Sequence, residues 1–381
     1  MGDCEVPANL SSFVRVTNDG MRFEVDGSPF FFAGANCYYL MTRAGDKNLR
    51  YEVLEVLDET RAAGLSVVRT WAFADGAEWN ALQPAPGEWD ERIFAALDWV
   101  LAQAGARGLR MILVLTNYWE AYGGIKQYVR WSCERRGVEV NDRAEDFYAD
   151  PYCQDVFRTF VATLLARVNT ITGVVYRDDP TILAWELCNE PRCEGDFSGS
   201  IVQDWVEQQS EFLKSLDPYH LLTIGAEGFL GSSTPELLAD NPFDTLKLGC
   251  DFLRHHALPH IDFATAHLWP DTWLPASASE AAKMRFARRW VNVHTDVCTE
   301  QLGKPLVLTE FGTKASGRPA FYEKVYDTVL HHMVAGHAVA GTCFWMLAAT
   351  SYPDYDGFTL AELNRRGTAE GVASGRECSV M

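Results

Sequence analysis

Short apolar runs and longer amphipathic stretches alternate along most of the chain. Eight runs rich in Val, Ile, Leu and Phe read as strands: FFFAGAN (30–36), VVRTW (67–71), RMILVLTN (110–117), ILAWELCNE (182–190), LLTIGAE (221–227), DFATAHLW (262–269), PLVLTEFG (305–312) and GTCFWML (341–347). They are apolar throughout rather than alternating, the pattern of a parallel sheet covered on both faces. Between most of them, apolar residues recur at helix spacing. Ile93, Leu97, Val100, Leu101 and Ala104 predict a helix over 89–107, and Val156, Phe160, Leu164 and Val168 one over 155–171. Residues 202–216 and 279–301 behave the same way. Strands that alternate with helices in this number predict an α/β fold, a (β/α)8 TIM barrel. Ahead of the first strand, two alternating runs flank Asn18-Asp19-Gly20, the signature of a short N-terminal β-hairpin. No GxGxxG or GxxxxGK[ST] follows an early strand, so a doubly wound sheet with a dinucleotide or phosphate site has no support. No repeat or linker divides the chain. One domain over 1–381 is expected, with 1–12 and 368–381 as peripheral tails.

Active sites of such barrels sit at the C-terminal ends of the strands and in the loops that follow. Two connections are long, 118–151 and 228–261, and both leave such ends. The polar residues at the strand ends are Asn36, Arg69, Asn117, Asn189 with Glu190, Glu227, His267 and Glu310, with Trp345 on the last strand. Glu190 in WELCNEP and Glu310 in VLTEFG end otherwise apolar strands in the same style, on the fourth and seventh strands. Opposite strands of a closed barrel can bring two such side chains together over its mouth. Two facing carboxyl groups, one protonated as acid and one ionised as nucleophile, are the equipment of retaining glycoside hydrolysis. Arg69 could hold the nucleophilic carboxylate ionised, and Asn189 could hydrogen-bond a sugar hydroxyl. Trp71, Trp119, Trp131, Trp269, Trp273 and Trp345 fall at strand ends or just beyond, where flat apolar faces suit pyranose rings.

Charge narrows the partners. Against 52 acidic residues stand 33 basic ones, a net of −19, which argues against nucleic acid and anionic membranes and leaves a neutral polysaccharide open. No apolar run approaches the length of a membrane span. Of the 10 cysteines, Cys37, Cys188, Cys250 and Cys343 lie in or beside apolar runs and read as buried thiols, and no Cys/His set has zinc spacing. Cys133 and Cys153 flank a polar segment that a disulfide could staple, and His255-His256 reads as part of a solvated loop. The opening MGDCEVPANLSSF lacks the basic and apolar regions of a signal peptide and leaves an intracellular location open. The sequon Asn9-Leu10-Ser11 points instead to the secretory pathway or the cell exterior. Nothing calls for a second subunit, and a monomer is expected.

WELCNEP, VVRTWAF, HLWPDTW, LTEFG and the late FW together resemble glycoside hydrolase family 5. GANCYYL, RTWAFADG, NYWEAYGGIKQYVRW, ELCNEPRC and GAEGF are similar, more closely, to the endo-β-1,4-mannanases of plants and fungi, from about residue 13 to about 360. The resemblance implies a retaining enzyme without cofactor or metal, acting on mannan, glucomannan or galactomannan. It implies Glu190 as acid/base, Glu310 as nucleophile and Arg69 as the arginine beside the nucleophile. Asn189 would read the substrate 2-hydroxyl, His267 would be the active-site histidine, and Trp345 the platform under the sugar being cleaved. Arg192 and Glu227 would hold neighbouring sugars, and Trp71, Trp119, Trp269 and Asn36 complete the expected substrate contacts. One departure stands out: the family pattern is His-x-Tyr, with the tyrosine touching the nucleophile, and this chain has His267-Leu268-Trp269. An indole can donate one hydrogen bond there but cannot accept one. An exo-acting β-mannosidase, a β-glucanase or a transglycosylase would use the same barrel and glutamates. A catalytically weak sugar-binding protein would use the tryptophan rim alone.

Overall fold

Eight parallel strands wind into a barrel: β1 (Phe32–Asn36), β2 (Val67–Trp71), β3 (Arg110–Val114), β4 (Ile182–Glu186), β5 (Leu221–Thr223), β6 (Ala264–Leu268), β7 (Leu306–Phe311) and β8 (Val339–Phe344). The computed structural model describes residues 10–361 and 363, apart from 142, 315 and 316. Asn9 of the sequon and the tail expected at 368–381 lie outside the described residues. Pairing runs β5-β4-β3-β2-β1-β8-β7-β6. Between the two ends of that order the barrel closes partly through side chains. The Asp262 N–H donates to the Leu222 carbonyl at 2.8 Å, the Leu222 N–H to the Asp262 carboxylate at 2.7 Å, and the Thr223 hydroxyl to the Phe263 carbonyl at 2.8 Å.

The helices fall where the periodicity predicts them, at Glu91–Ala106, Pro151–Ala166, Ser200–Leu216 and Glu280–Val297. Asp90, Asp150 and Ser279 accept from backbone N–H groups of the first turns of three of these, which fixes where they start. The strands stop sooner than their apolar runs. Beyond β3 and β4 the chain keeps only an isolated bridge, Asn117 to Asn189, so the polar ends of both runs are loop rather than ladder.

Two apolar layers result. One lies between strands and helices, and a smaller one fills the base of the barrel with Val67, Ile112, Leu183, Leu221, Phe263 and Val307. The N-terminal segment caps that base. It carries a third strand beyond the expected hairpin: Arg15–Val16, Phe23–Val25 and Ser28–Phe30 pair in order. Phe23, fully buried, lies edge-on to Phe263 with ring centroids 5.5 Å apart.

Three local expectations are corrected. Cys133 and Cys153 are free buried thiols, because the helix at Gly124–Arg136 that carries Cys133 is already packed into the core. His255 and His256 lie in a short helix, Phe252–His256, rather than a solvated loop. Both are buried, and each ring uses a backbone carbonyl: Gly199 at 3.0 Å and Phe252 at 2.8 Å. Trp131 belongs to the Gly124–Arg136 helix and packs edge-on to Tyr128 in the core, away from the rim. Among the described residues no helix is long and apolar enough to cross a membrane.

Candidate active site

On β2 the alternation of side chains sets three levels inside the barrel. Val67 belongs to the base, Arg69 follows two residues on, and Trp71 reaches the cleft above. Arg69 is fully buried and all five of its N–H donors are used. Nε donates to Glu186 Oε2 at 2.9 Å and Nη2 to Glu186 Oε1, a bidentate pair. Nη1 reaches Asn36 Oδ1 at 2.8 Å and Glu310 Oε1 at 2.6 Å, and Nη2 also reaches Asn189 Oδ1 at 2.7 Å. One guanidinium thus ties together residues of β1, β4, β7 and the loop after β4. Glu186 was not among the expected site residues. It sits in the interior of an apolar run, just past a register shift against β3 that lets Leu183 and Ala184 both face the barrel base, so an acid inside such a run, rather than parity, is the signal that could have found it.

Two backbone irregularities aim the carboxyl groups. Val307 of β7 faces the barrel base, so strict alternation would send Thr309 inward and Glu310 out to the helices. The register against β6 shifts between Leu308 and Glu310, so that Glu310 pairs with His267 and turns inward, while Phe311 packs outward against Tyr322 and Tyr326. Glu190 has φ of 54°, in the left-handed region that costs a non-glycine residue on the order of 1 kcal/mol. Its N–H is held by the Gly225 carbonyl at 2.9 Å. Gly225 has no room for a side chain: a Cβ there would stand 2.2 Å from the Cys188 carbonyl oxygen and 2.3 Å from Glu186 Oε1.

His267 Nδ1 lies 2.7 Å from Glu190 Oε1 and 3.4 Å from Glu310 Oε2. One ligand atom from each of Glu190, His267 and Glu310 falls within 4.8 Å of the other two, the one such group with metal-binding proximity among the described residues. Burial disfavours the His267 cation, but the Glu310 and Glu190 charges outweigh it and raise its pKa. Burial alone would raise Glu190; the His267 hydrogen bond and charge, with Arg192 and the Trp119 N–H, outweigh that and hold it down at about 2. Burial pushes Glu310 up, and the Glu190 charge adds to this against the pull of His267 and Arg69. The shifts therefore make Glu190 the more acidic carboxyl of the pair, the reverse of the order expected for a proton donor.

Arg192 and Glu227 form a second buried pair, bidentate at 2.7 Å through both oxygens, with the guanidinium over the Trp119 ring at 4.9 Å. Burial and the Glu190 charge push Glu227 up to about 7. Its folded-state pKa lies above the ordinary value, so its contribution to stability is complete below about 4.5 and is lost as pH rises towards 7. A Glu227→Gln variant lacks that term. Its melting temperature relative to wild type is expected to improve between pH 4.5 and pH 8, a trend that thermal scans across the range will check.

A cleft of about 470 Å³ gathers Trp71, Trp119, Asn189, Glu190, Arg192, Glu227, Trp269, Glu310 and Trp345, together with Trp273. Arg69 and His267 lie beneath its floor, fully buried. Asn36, expected among the substrate contacts, is placed behind Arg69. Its amide donates to the Thr309 carbonyl at 2.8 Å and its oxygen accepts from Arg69, so it holds the arginine rather than facing a ligand. Trp269 stands edge-on to Trp345 (5.9 Å) and Phe358 (4.9 Å) as a wall of the cleft. Its N–H makes no hydrogen bond to Glu310 among the described residues; Arg69 and His267 are the groups that hold that carboxylate.

A family model described as GH family 5 beta-mannosidase-like matches residues 11–358. The chain belongs to glycoside hydrolase family 5. It is 43% identical over 369 residues to "Mannan endo-1,4-beta-mannosidase 2" of Oryza sativa, covering 94% of this chain and 82% of that protein. It is 41% identical over 373 residues to "Mannan endo-1,4-beta-mannosidase 5" of Solanum lycopersicum, covering 96% and 88%. Among solved structures, the endo-1,4-beta-D-mannanase from Thermotoga petrophila is 34% identical with a TM-score of 0.76, over 87% of this chain and 95% of that one. A family 5 mannosidase from Rhizomucor miehei, at 22% identity and a TM-score of 0.78, shares the fold. The glycoside hydrolase assignment and the barrel expected from the apolar runs both stand.

Proposed function

We propose that this protein is a retaining endo-β-1,4-mannanase that cuts internal bonds of mannan, glucomannan or galactomannan. The observation that carries the reading is the proximity of the two carboxyl groups. One oxygen of Glu190 and one of Glu310 approach within 4.8 Å, near the roughly 5–5.5 Å of retaining pairs and short of the roughly 6.5–9.5 Å that an inverting water requires. Glu310 attacks the anomeric carbon while Glu190 protonates the departing glycosidic oxygen. Glu190 then takes a proton from water as that water displaces Glu310 from the sugar. The His267 Nδ1–H, 2.7 Å from Glu190, supplies the proton that turns the resting carboxylate into the acid, and neutral imidazole remains. Arg69 keeps the Glu310 leaving group ionised when the glycosyl-enzyme breaks down.

Endo action is supported by the breadth of the cleft lining, which takes in Arg192 and Trp119 beside Glu190 as well as Trp71, Trp345 and Phe358. The preference for mannan is supported by the names of relatives above 40% identity. The reading takes the enzyme as a monomer on the secretory route. Product analysis on mannohexaose and cellohexaose, with Glu310→Ala as control, tests it. A mixture of short mannooligosaccharides from the first substrate alone is expected, and release of mannose only would overturn the endo reading. Because Trp269 acts as a wall, Trp269→Tyr should change KM for mannooligosaccharides by a few-fold, about the effect of one ring contact. The acidic limb of the pH profile should stay in place; a moved limb would mean that position 269 acts on Glu310.

A further inference from the structure

The aromatic wall of the cleft continues into a second cavity. Tyr38, just after β1, stacks on Trp345 with ring centroids 5.4 Å apart and planes 9° from parallel, and it touches Trp71 at 4.9 Å. Tyr122 meets Trp71 edge-on at 5.1 Å. The same two tyrosines line a cavity of about 370 Å³ whose other walls are Arg43, Trp79, Tyr352 and Tyr355. Its outer rings are left in water: Trp79 is 53% exposed and Tyr355 is 71% exposed. Exposed aromatic rings grouped around one cavity offer apolar surface for a ligand to cover.

The polar groups inside are suited to hydroxyls rather than to ions. The Tyr38 and Tyr352 hydroxyl oxygens lie 3.0 Å apart. Only one proton fits between them, which leaves the other O–H free to donate. The Arg43 guanidinium covers the Tyr352 ring at 4.7 Å and approaches Trp79 at 5.7 Å. Its charge is balanced by buried Glu52, 3.3 Å from Nε, and its terminal N–H groups make no hydrogen bond among the described residues. A cavity with flat apolar walls, hydroxyls and a neutralised cation matches a hexopyranose, which shows C–H groups on its faces and O–H groups around its edge.

We propose that this cavity is a remote sugar subsite for the β-1,4-linked chain that is cut at Glu190 and Glu310. The inference rests on the mannanase reading and adds to it a side and a set of residues. The leaving group must sit beside the proton donor, hence on the side of Glu190, Trp119 and Arg192. The second cavity adjoins the cleft across Tyr38, which stacks on Trp345 and touches Trp71 away from the Glu190, Trp119 and Arg192 cluster, and so belongs to the glycone side. A chain long enough to reach Trp79 and Tyr355 gains binding that a short one does not, and this gain fixes which bond lies over the carboxyl groups.

The test compares wild type with Trp79→Ala and Tyr355→Ala, using unbranched mannooligosaccharides of increasing length and a galactose-branched set. Both side chains are exposed, and equal melting temperatures will show that the variants fold. For mannohexaose, kcat/KM should fall roughly five- to tenfold, the scale of one aromatic contact, and reducing-end labelling should show a changed cleavage position. For the shortest oligosaccharide that wild type cuts, kcat/KM should not change. Equal rates at every length, or equal losses at every length, would overturn the subsite. A loss confined to branched substrates would assign the cavity to side groups and overturn the main-chain reading. Failure of wild type to cut any mannooligosaccharide would instead overturn the mannanase reading itself.

Discussion

Glu310→Ala should lower turnover of β-1,4-mannan by roughly 10⁴-fold or more, because no covalent intermediate forms without the carboxylate. Glu190→Ala should cost roughly 10²- to 10⁴-fold, the range of a lost general acid. Azide separates the two roles by the stereochemistry of what it rescues. In the Glu190→Ala enzyme, azide enters in the second displacement and expels Glu310 from the sugar, so the product is a β-glycosyl azide with retained configuration. In the Glu310→Ala enzyme, azide occupies the place of the missing carboxylate and attacks once, giving the α-glycosyl azide. Nuclear magnetic resonance of the isolated azides reads the outcome directly. The opposite pairing of variant and anomer would exchange the assigned roles.

That outcome carries weight because the resting site does not display the roles openly. Glu190 is held down at about 2 chiefly by His267, the group proposed to supply its proton, and Glu310 is the carboxyl that burial pushes up. A single proton transfer along the 2.7 Å contact from His267 to Glu190 reverses this. Glu190 then carries the proton. Loss of the imidazolium charge also leaves Arg69 as the main cation acting on Glu310.

The barrel was legible because its strands are apolar on both faces, and runs such as RMILV and LVLTEF do not suit a half-exposed sheet. Glu190 and Glu310 were legible as polar endings of such runs. What brings them together was not. The inward turn of Glu310 comes from a register shift in β7, and the pose of Glu190 from φ of 54°, held by the Gly225 carbonyl just beyond β5. Trp131 and Asn36 were misplaced for a related reason. A tryptophan in a long loop and an asparagine at a strand end carry no mark of which way they face. That direction was decided by a helix inside the loop and by the claim of Arg69 on the amide. Glu186 was missed although it stands four residues before Glu190. Its partner, Arg69, is 117 residues away in sequence.

Glu186→Ala should destabilise the fold by roughly 3–5 kcal/mol, the usual effect of removing one partner from a buried ion pair. Arg69 and Glu186 are both fully sealed from solvent, and Arg69 would lose two of its hydrogen bonds with no water to replace them. Chemical denaturation of wild type and variant measures this. Glu186→Gln separates stability from catalysis. The amide keeps one acceptor for the guanidinium but places an NH₂ where an oxygen stood, so Arg69 must shift. A displacement of about 1 Å at a group that touches both Glu310 and Asn189 is enough to lower kcat roughly 10²-fold. Charge gives a second, independent readout. With Glu186 neutral, the Arg69 charge is no longer divided between two carboxylates and draws Glu310 further down. The acidic limb of kcat/KM should therefore move to lower pH in the variant, even as the maximum rate falls. A variant as stable and as active as wild type, with an unmoved limb, would mean that Arg69 is held by β1 and β7 alone and that Glu186 is a bystander in the core.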